Sequence, residues 1–347
     1  MKKALYLIFL VLFTNANAVA QAVQHEITSL VYHRFGDDRF PSTNIGTQTF
    51  EEHLKYLKAE GYSSLTISEV VDEINNSKAI KRKLVAITID DGYKSFFENG
   101  LPLLKKYGFK ATLFVNTASI GYADYMTWSE IAEAQKAGVE IGNHSHSHPF
   151  FLSVSESTRS DFFKQELQES QDLMKANLNF TPQVFAYPYG EHDEEMKIRL
   201  SEMGFKGAVA QNSGVITEYS DSFQFPRFPM SESYGDLDQF KEKMNMKGLA
   251  VDKAEATTAG NGFGLRKPKV SLEIIKNDLL IESMQCFVQG STCAKTMEIT
   301  SDGKIALSIH PETDLKRRRT LFTITIRDSK GNWHWYSYLW VIPEVQE

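Results

Sequence analysis

The chain has little cysteine, no excess of positive charge and no long apolar run. Cys286 and Cys293 are the only cysteines in 347 residues. Neither has a His or Cys neighbour at ligand spacing, which excludes a thiolate metal site here. A disulfide closing the short loop between them is expected, adding about 2–3 kcal/mol in an oxidising compartment. Lys and Arg number 38 against 44 Asp and Glu, a net charge of −6. That balance excludes nucleic acid and an anionic membrane as the main partner. The short basic run Lys316-Arg317-Arg318-Arg319 reads as a solvated turn between strands. The apolar stretch Ala4–Phe13 behind Lys2-Lys3 is too short to span a bilayer comfortably. With Ala18-Val19-Ala20 before Gln21 as a cleavage point, it reads as a secretory signal over residues 1–20. No cysteine lies near it for a lipid anchor, so the mature chain is expected to be periplasmic or secreted, with no membrane span after cleavage. Internal repeats and disordered tracts are also missing.

What is there is the composition of a globular protein, 42% hydrophobic and 24% charged, long enough for one large α/β unit and a smaller domain. Six short apolar runs read as buried strands: Ile27–Tyr32, Leu84–Ile89, Ala111–Asn116, Val139–Gly142, Val184–Tyr187 and Gly207–Ala210. Helical patterns lie between them. Thr49 with Glu52 and Thr127 with Glu130 have the capping-box spacing. Leu101–Tyr107 runs into Gly108, and Ser160–Asn177 and Glu194–Met203 place apolar residues at helical intervals. Strand-helix alternation implies parallel strands, hence a (β/α) barrel or a doubly wound sheet. His33, Asp90-Asp91, His144 and Tyr187-Pro188-Tyr189 all fall just past the C-terminal ends of different strands, the rim where barrel enzymes assemble their sites. The barrel is therefore the expectation, over residues 26–245. A small, polar, Gly-rich stretch predicts a linker over 246–266. Alternating strands over 267–347 predict a small antiparallel β-sandwich. In it, Phe322, Ile324 and Ile326 alternate with Thr323 and Thr325, as a half-buried strand requires. Trp333 and Trp335 share one face of the last strand, opposite Trp340. The aromatic face not used by the core is either a sugar platform or a brace against the barrel.

Chemistry concentrates in two segments. Thr88-Ile89-Asp90-Asp91-Gly92 offers two adjacent carboxylates where a strand runs out. Neighbouring side chains diverge, so one acid can bind a cation while the other stays free as a base. Asn143-His144-Ser145-His146-Ser147-His148-Pro149 offers imidazoles at i and i+4, a spacing that lets His144 and His148 face one cation. His146 has the wrong phase to join them. Together these are the parts of a hydrolytic metal site, in which a cation keeps an open position and a separate carboxylate handles protons.

The two segments resemble the T-F-D-D-G and N-H-[ST]-x-x-H-P motifs of the carbohydrate esterase family 4 polysaccharide deacetylases, over about residues 26–240. The resemblance implies a distorted (β/α) barrel and hydrolysis of N-acetyl groups from an N-acetylglucosamine-containing polysaccharide. It implies Asp90 as general base and Asp91, His144 and His148 as ligands of a divalent metal, zinc. Tyr187-Pro188-Tyr189-Gly190 resembles the tail of the third motif, where the backbone N–H matching Tyr189 helps hold the oxyanion. Three departures stand out. The Arg that opens that motif is replaced by Ala186, and Arg227 is the candidate to supply its charge from elsewhere. No Asp-Trp fourth motif is found. The late Leu-x-x-His motif is missing, whereas His33 ends the first strand, as in the circularly permuted deacetylases of poly-N-acetylglucosamine. His33 is accordingly expected as general acid. Tyr187, Trp128 and Arg227 complete the expected substrate-binding set. A catalytically inactive glycan-binding protein of the same fold, and a metal amidase acting on other amides, are the competing readings.

Overall fold

The fold is that of a computed structural model, which describes residues 25–76, 82–257 and 265–346. The signal expected over 1–20 lies outside these residues, as does part of the expected linker. Strands Ile27–Tyr32 and Leu84–Ile89 are buried along their whole length, the pattern of parallel strands covered on both faces. They pair in parallel register, Ile27 with Leu84 through Tyr32 with Ile89. The sheet continues through Thr112–Val115, Glu140–Asn143, Val184–Ala186 and Gly207–Val209, all parallel. Gly142 is where two strands pack closest to a ring. A Cβ there would sit 2.4 Å from the Phe114 ring, so only glycine fits.

The barrel is closed by an irregular stave. Val209 bridges Phe225 in parallel, and Phe228–Pro229 pairs in parallel with Ile27–Tyr32. The segment from Phe225 to Pro229 thus spans from the last strand back to the first. Val215–Ile216 adds an antiparallel strand to Ile27–Tyr32. This is a distorted barrel, as expected, and the stave decides where Arg227 sits.

Local signals set the helices. Helix Trp128–Lys136 starts with the expected Thr127–Glu130 capping box, and helix Ile67–Ile74 with a second one, Thr66–Glu69. Thr49 and Glu52 form none. The strand pair at Asn44–Ile45 ends just before Gly46, so the helix Thr47–Ala59 is already under way at Thr49. Leu101–Tyr107 ends at Gly108 with φ 73°, a left-handed turn that suits glycine.

The C-terminal region is two four-stranded sheets. One runs Lys247–Gly248, Trp333–Val341, Arg319–Asp328, Leu279–Val288 in spatial order. The other runs Val251–Thr257, Lys269–Ile274, Ile305–Pro311, Cys293–Ile299. Lys247–Gly248 and Val251–Thr257 are strands inside the stretch expected to be linker. Val251–Thr257 pairs antiparallel with Lys269–Ile274, which satisfies backbone groups that a linker would leave to water. Between the sheets lie Val270, Leu272, Leu307, Phe322, Ile324 and Trp340. The expected half-burial of Arg319–Asp328 does not hold, since Thr323 and Thr325 are buried too. The second face of that sheet is turned to the barrel. Trp335 Nε1 donates to the Ser213 carbonyl at 3.1 Å, its ring lies edge-on to Phe228, and Asn212 Nδ2 donates to the Ser337 carbonyl. Of the two uses open to the leftover aromatics, Trp335 serves as the brace. Cys286 and Cys293 form the expected disulfide. No helix among the described residues is long and apolar enough to cross a membrane.

Candidate active site

Asp90 and Asp91 follow directly on the strand Leu84–Ile89, and their backbones send them apart. The Asp90 N–H donates to the Tyr32 carbonyl, which keeps it in line with the sheet. Asp91 has φ 73°, a left-handed conformation uncommon for a residue with a side chain. Asp90 is fully buried, and Asp91 faces His144 and His148.

Behind Asp90 lies Arg227. Nη1 and Nη2 donate to the two carboxylate oxygens at 2.7 and 2.8 Å, Nη1 also donates to the Thr88 hydroxyl, and Nε donates to the Ala210 carbonyl. Both side chains have no exposure. Burial pushes the Asp90 carboxyl up, but the Arg227 charge outweighs it and holds Asp90 below its ordinary range. Arg227 therefore supplies the charge expected at 186, through the closing stave. Sealed behind Asp90, it cannot contact substrate, which corrects its placement in the substrate-binding set.

Asp91, His144 and His148 each present a ligand atom, all within 4.8 Å of one another. Each imidazole Nε2 is 3.4 Å from Asp91 Oδ1. The His144 ring is oriented by its other nitrogen, where Nδ1–H donates to the Ala186 carbonyl at 2.7 Å. That bond fixes the tautomer with Nε2 unprotonated and turned to the cluster, as a ligand requires. Burial and the neighbouring His144 push His148 down to about 4. Burial also disfavours charge on His144, but Asp91 and Asp90 outweigh it and raise its pKa. Two imidazoles and one carboxylate, converging within 4.8 Å, fit a divalent cation with open positions.

The turn carrying the histidines is built by its polar residues. Ser145 (φ 65°) and His148 (φ 55°) are left-handed. Asn143 Oδ1 accepts from the Ser145 N–H, and the Ser145 hydroxyl accepts from the His148 N–H. Glu166, a buried residue of the helix Glu156–Leu178, accepts from the N–H groups of His146 and Ser147 and from the Ser147 hydroxyl. Glu166 was not singled out from the sequence. Its signal, an acid on the buried face of an amphipathic helix, could have found it. His146 points away, its Nδ1 to Thr117 and Nε2 toward Glu169, in keeping with its phase.

His33 is half-buried directly after the first strand. It follows Tyr32, whose register partner Ile89 precedes Asp90, so it stands at the same end of the barrel strands. Tyr189 (φ 58°, ψ 4°) sits in a turn, with its ring edge-on to His148 at 4.5 Å. Tyr187 does not face the site. It is fully buried between Phe185 and His192, and its hydroxyl donates to the Phe223 carbonyl, because it continues the barrel strand with its side chain on the core face. Trp128, first residue of its helix, packs against the main core. The expectation of a sugar contact is corrected for Tyr187, whereas Trp128 is only half-buried.

Comparison with known proteins agrees with this geometry. Residues 77–208 match the family model for polysaccharide deacetylase. The chain is 27% identical over 202 residues to YxkH of Bacillus subtilis (strain 168), a protein named for that family, covering 58% of this chain and 70% of that one. It is 25% identical over 219 residues to a poly-beta-1,6-N-acetyl-D-glucosamine N-deacetylase of Staphylococcus aureus, covering 59% and 74%. Among solved structures, the Streptococcus pyogenes deacetylase PplD in complex with acetate superposes with a TM-score of 0.58 at 24% identity, covering 64% of this chain and 99% of that one. IcaB from Ammonifex degensii gives 0.55 at 24% identity, covering 63% and 95%; both likenesses show the shared fold. The family model and these relatives mark residues 77–208 as a polysaccharide deacetylase domain, which makes the protein a hydrolase.

Proposed function

We propose that the protein removes N-acetyl groups from an N-acetylglucosamine polymer outside the cytoplasm, with β-1,6-linked poly-N-acetylglucosamine as the substrate. The observation that carries the reading is a buried carboxylate kept ionised by Arg227 beside a cluster of Asp91, His144 and His148. The sequence relationship to the Staphylococcus aureus enzyme and the position of His33 after the first strand support the linkage. The disulfide supports an oxidising compartment.

Asp91, His144 and His148 would hold the cation, and zinc is the metal we propose. When bound there it would supply Lewis acidity, polarising the acetamide carbonyl and making water acidic enough to attack near neutral pH. Asp90, held anionic in the resting site by Arg227, takes the proton of the attacking water and is neutral until it gives that proton up. The backbone N–H of Tyr189 donates to the oxygen that becomes negative as the carbonyl carbon turns tetrahedral. His33 gives a proton to the departing nitrogen, so that the sugar leaves as an amine and the acyl group as acetate. The polypeptide thus draws base and acid from the ends of two different strands.

Acetate release from β-1,6 and β-1,4 N-acetylglucosamine oligomers tests this, with zinc, with chelator and with Asp90→Asn. Release that needs metal, prefers β-1,6 linkage and falls on the order of 10²–10⁴-fold in the variant is expected. No release from any oligomer, with glycan binding intact, would establish the inactive binding protein instead.

A further inference from the structure

Lys316 and Arg317 are exposed in the connection between two strands, as expected, but the run does not stay solvated. Arg318 is 4% exposed. Its Nε and Nη2 donate to the two carboxylate oxygens of Glu191 at 2.6 and 2.7 Å, a bidentate pair buried between the two domains. Its Nη1 donates to the Pro343 carbonyl at 2.6 Å, so it is anchored on its own side as well. The next residue reaches the same target. Arg319 Nη1 donates to the Tyr189 carbonyl at 2.9 Å.

Glu191 and Tyr189 bracket the turn Pro188–Gly190, whose Tyr189 backbone has φ 58°. A residue with a side chain holds that conformation only where its surroundings impose it. Within the turn, Gly190 N–H donates to the Tyr187 carbonyl and Glu191 N–H to the Pro188 carbonyl. Outside it, the rings continue the connection. The Arg318 guanidinium lies 4.5 Å from the Phe150 ring centre. Phe150 stacks on Tyr189 at 3.7 Å, and Tyr189 stands edge-on to His148. The C-terminal sandwich is thus joined through two arginines to the turn that carries the Tyr189 N–H, and through two stacked rings to a ligand of the cluster.

We propose that the C-terminal domain is a positioning element of the active site, with Arg318 and Arg319 as the positioning residues that hold the Tyr187–Glu191 turn in its reactive conformation. The inference rests on the deacetylase reading for what the turn does, and on the ion pair and hydrogen bond alone for what holds it. An arginine that merely glued the domains would alter stability and leave turnover intact. A positioning arginine alters turnover at unchanged substrate affinity, because the Tyr189 N–H serves the oxygen only as charge develops on it.

The test uses the full mature chain with Arg319→Gln, Arg318→Met and Arg318→Lys. Three readouts are taken: kcat and KM on the oligomers, zinc affinity by competition with a chromogenic chelator, and amide hydrogen exchange of the peptide spanning the turn. Arg319→Gln, which leaves the buried ion pair in place, is expected to lower kcat about tenfold with KM within about twofold. Arg318→Met is expected to lower kcat on the order of 10²-fold, and Arg318→Lys to recover part of that loss, since it restores charge without the bidentate fork. Exchange at Gly190 and Glu191 rises in both Arg319→Gln and Arg318→Met. Wild-type kcat in folded Arg319→Gln and Arg318→Lys, or unchanged exchange across the turn, would overturn the proposal. Should the wild-type chain release no acetate, the deacetylase reading falls, while faster exchange in the variants still upholds the arginines as what holds the turn.

Discussion

Replacing Arg227 with Met isolates the device that keeps Asp90 ionised. The guanidinium makes both hydrogen bonds that the Asp90 carboxylate receives from an arginine, and both side chains are fully buried. Removing one partner of such a pair costs about 3–5 kcal/mol if the other stays charged. The carboxyl has a cheaper course, which is to take up a proton, because burial alone raises its pKa. In the wild type the folded pKa lies below the ordinary 3.8, so the contribution of the pair is present above that value and is lost as the pH falls through the lowered one. In Arg227→Met the sign reverses, and stability is lost as the pH rises and Asp90 is forced to ionise. Activity follows the same proton. At pH 6 kcat/KM should fall on the order of 10²–10⁴-fold, with the acid limb of its pH profile moved upward and activity partly regained at alkaline pH. Urea unfolding at several pH values and a pH–rate profile make the two measurements. The double variant Arg227→Met with Asp90→Asn removes both charges and should be more stable at neutral pH than Arg227→Met alone. An acid limb in its wild-type position, or a double variant at least as destabilised as the sum of the singles, would refute the argument.

Three further outcomes are expected. His53 is fully buried between the Tyr32 hydroxyl and the Gly235 carbonyl, and burial pushes it down to about 4. Its folded pKa is below the unfolded 6.5, so stability is full above 6.5 and declines by about 3 kcal/mol on acidification to pH 4; His53→Gln should flatten that slope in urea titrations, and an unchanged slope would assign it elsewhere. Glu166→Ala leaves the His146 and Ser147 N–H groups without their acceptor and should weaken zinc binding about 10–100-fold in a chelator competition; unchanged affinity would show that the turn stands without it. Cys286→Ser with Cys293→Ser opens a loop of sequence separation 7 and should cost about 2–3 kcal/mol in urea, with activity retained, because the bonds of Arg318 and Arg319 to Glu191 and Tyr189 do not involve the bridge.

The sequence by itself determined the elements and the chemical kit. The β-rich runs at Ile27–Tyr32 and Leu84–Ile89 read as buried parallel strands from their local pattern. Thr127 with Glu130, and Gly108, marked helix ends because capping is decided within a few residues. The cluster that could hold a cation was legible for the same reason: His144 and His148 lie four apart, and Asp91 follows a strand end. Other features depend on neighbours distant in the chain, and no local pattern carries them. Tyr187 looks like a sugar contact until the barrel packs it into its core. Arg227 is 137 residues from Asp90, and the two meet only because the stave Phe225–Pro229 closes the barrel between its last and first strands. The run at Lys316–Arg319 has the composition of a solvated turn. Lys316 and Arg317 keep that place, but Arg318 is buried where one sheet of the sandwich docks on the barrel, since a buried charge needs a partner, and Glu191, 127 residues away, is the one that folding brings there.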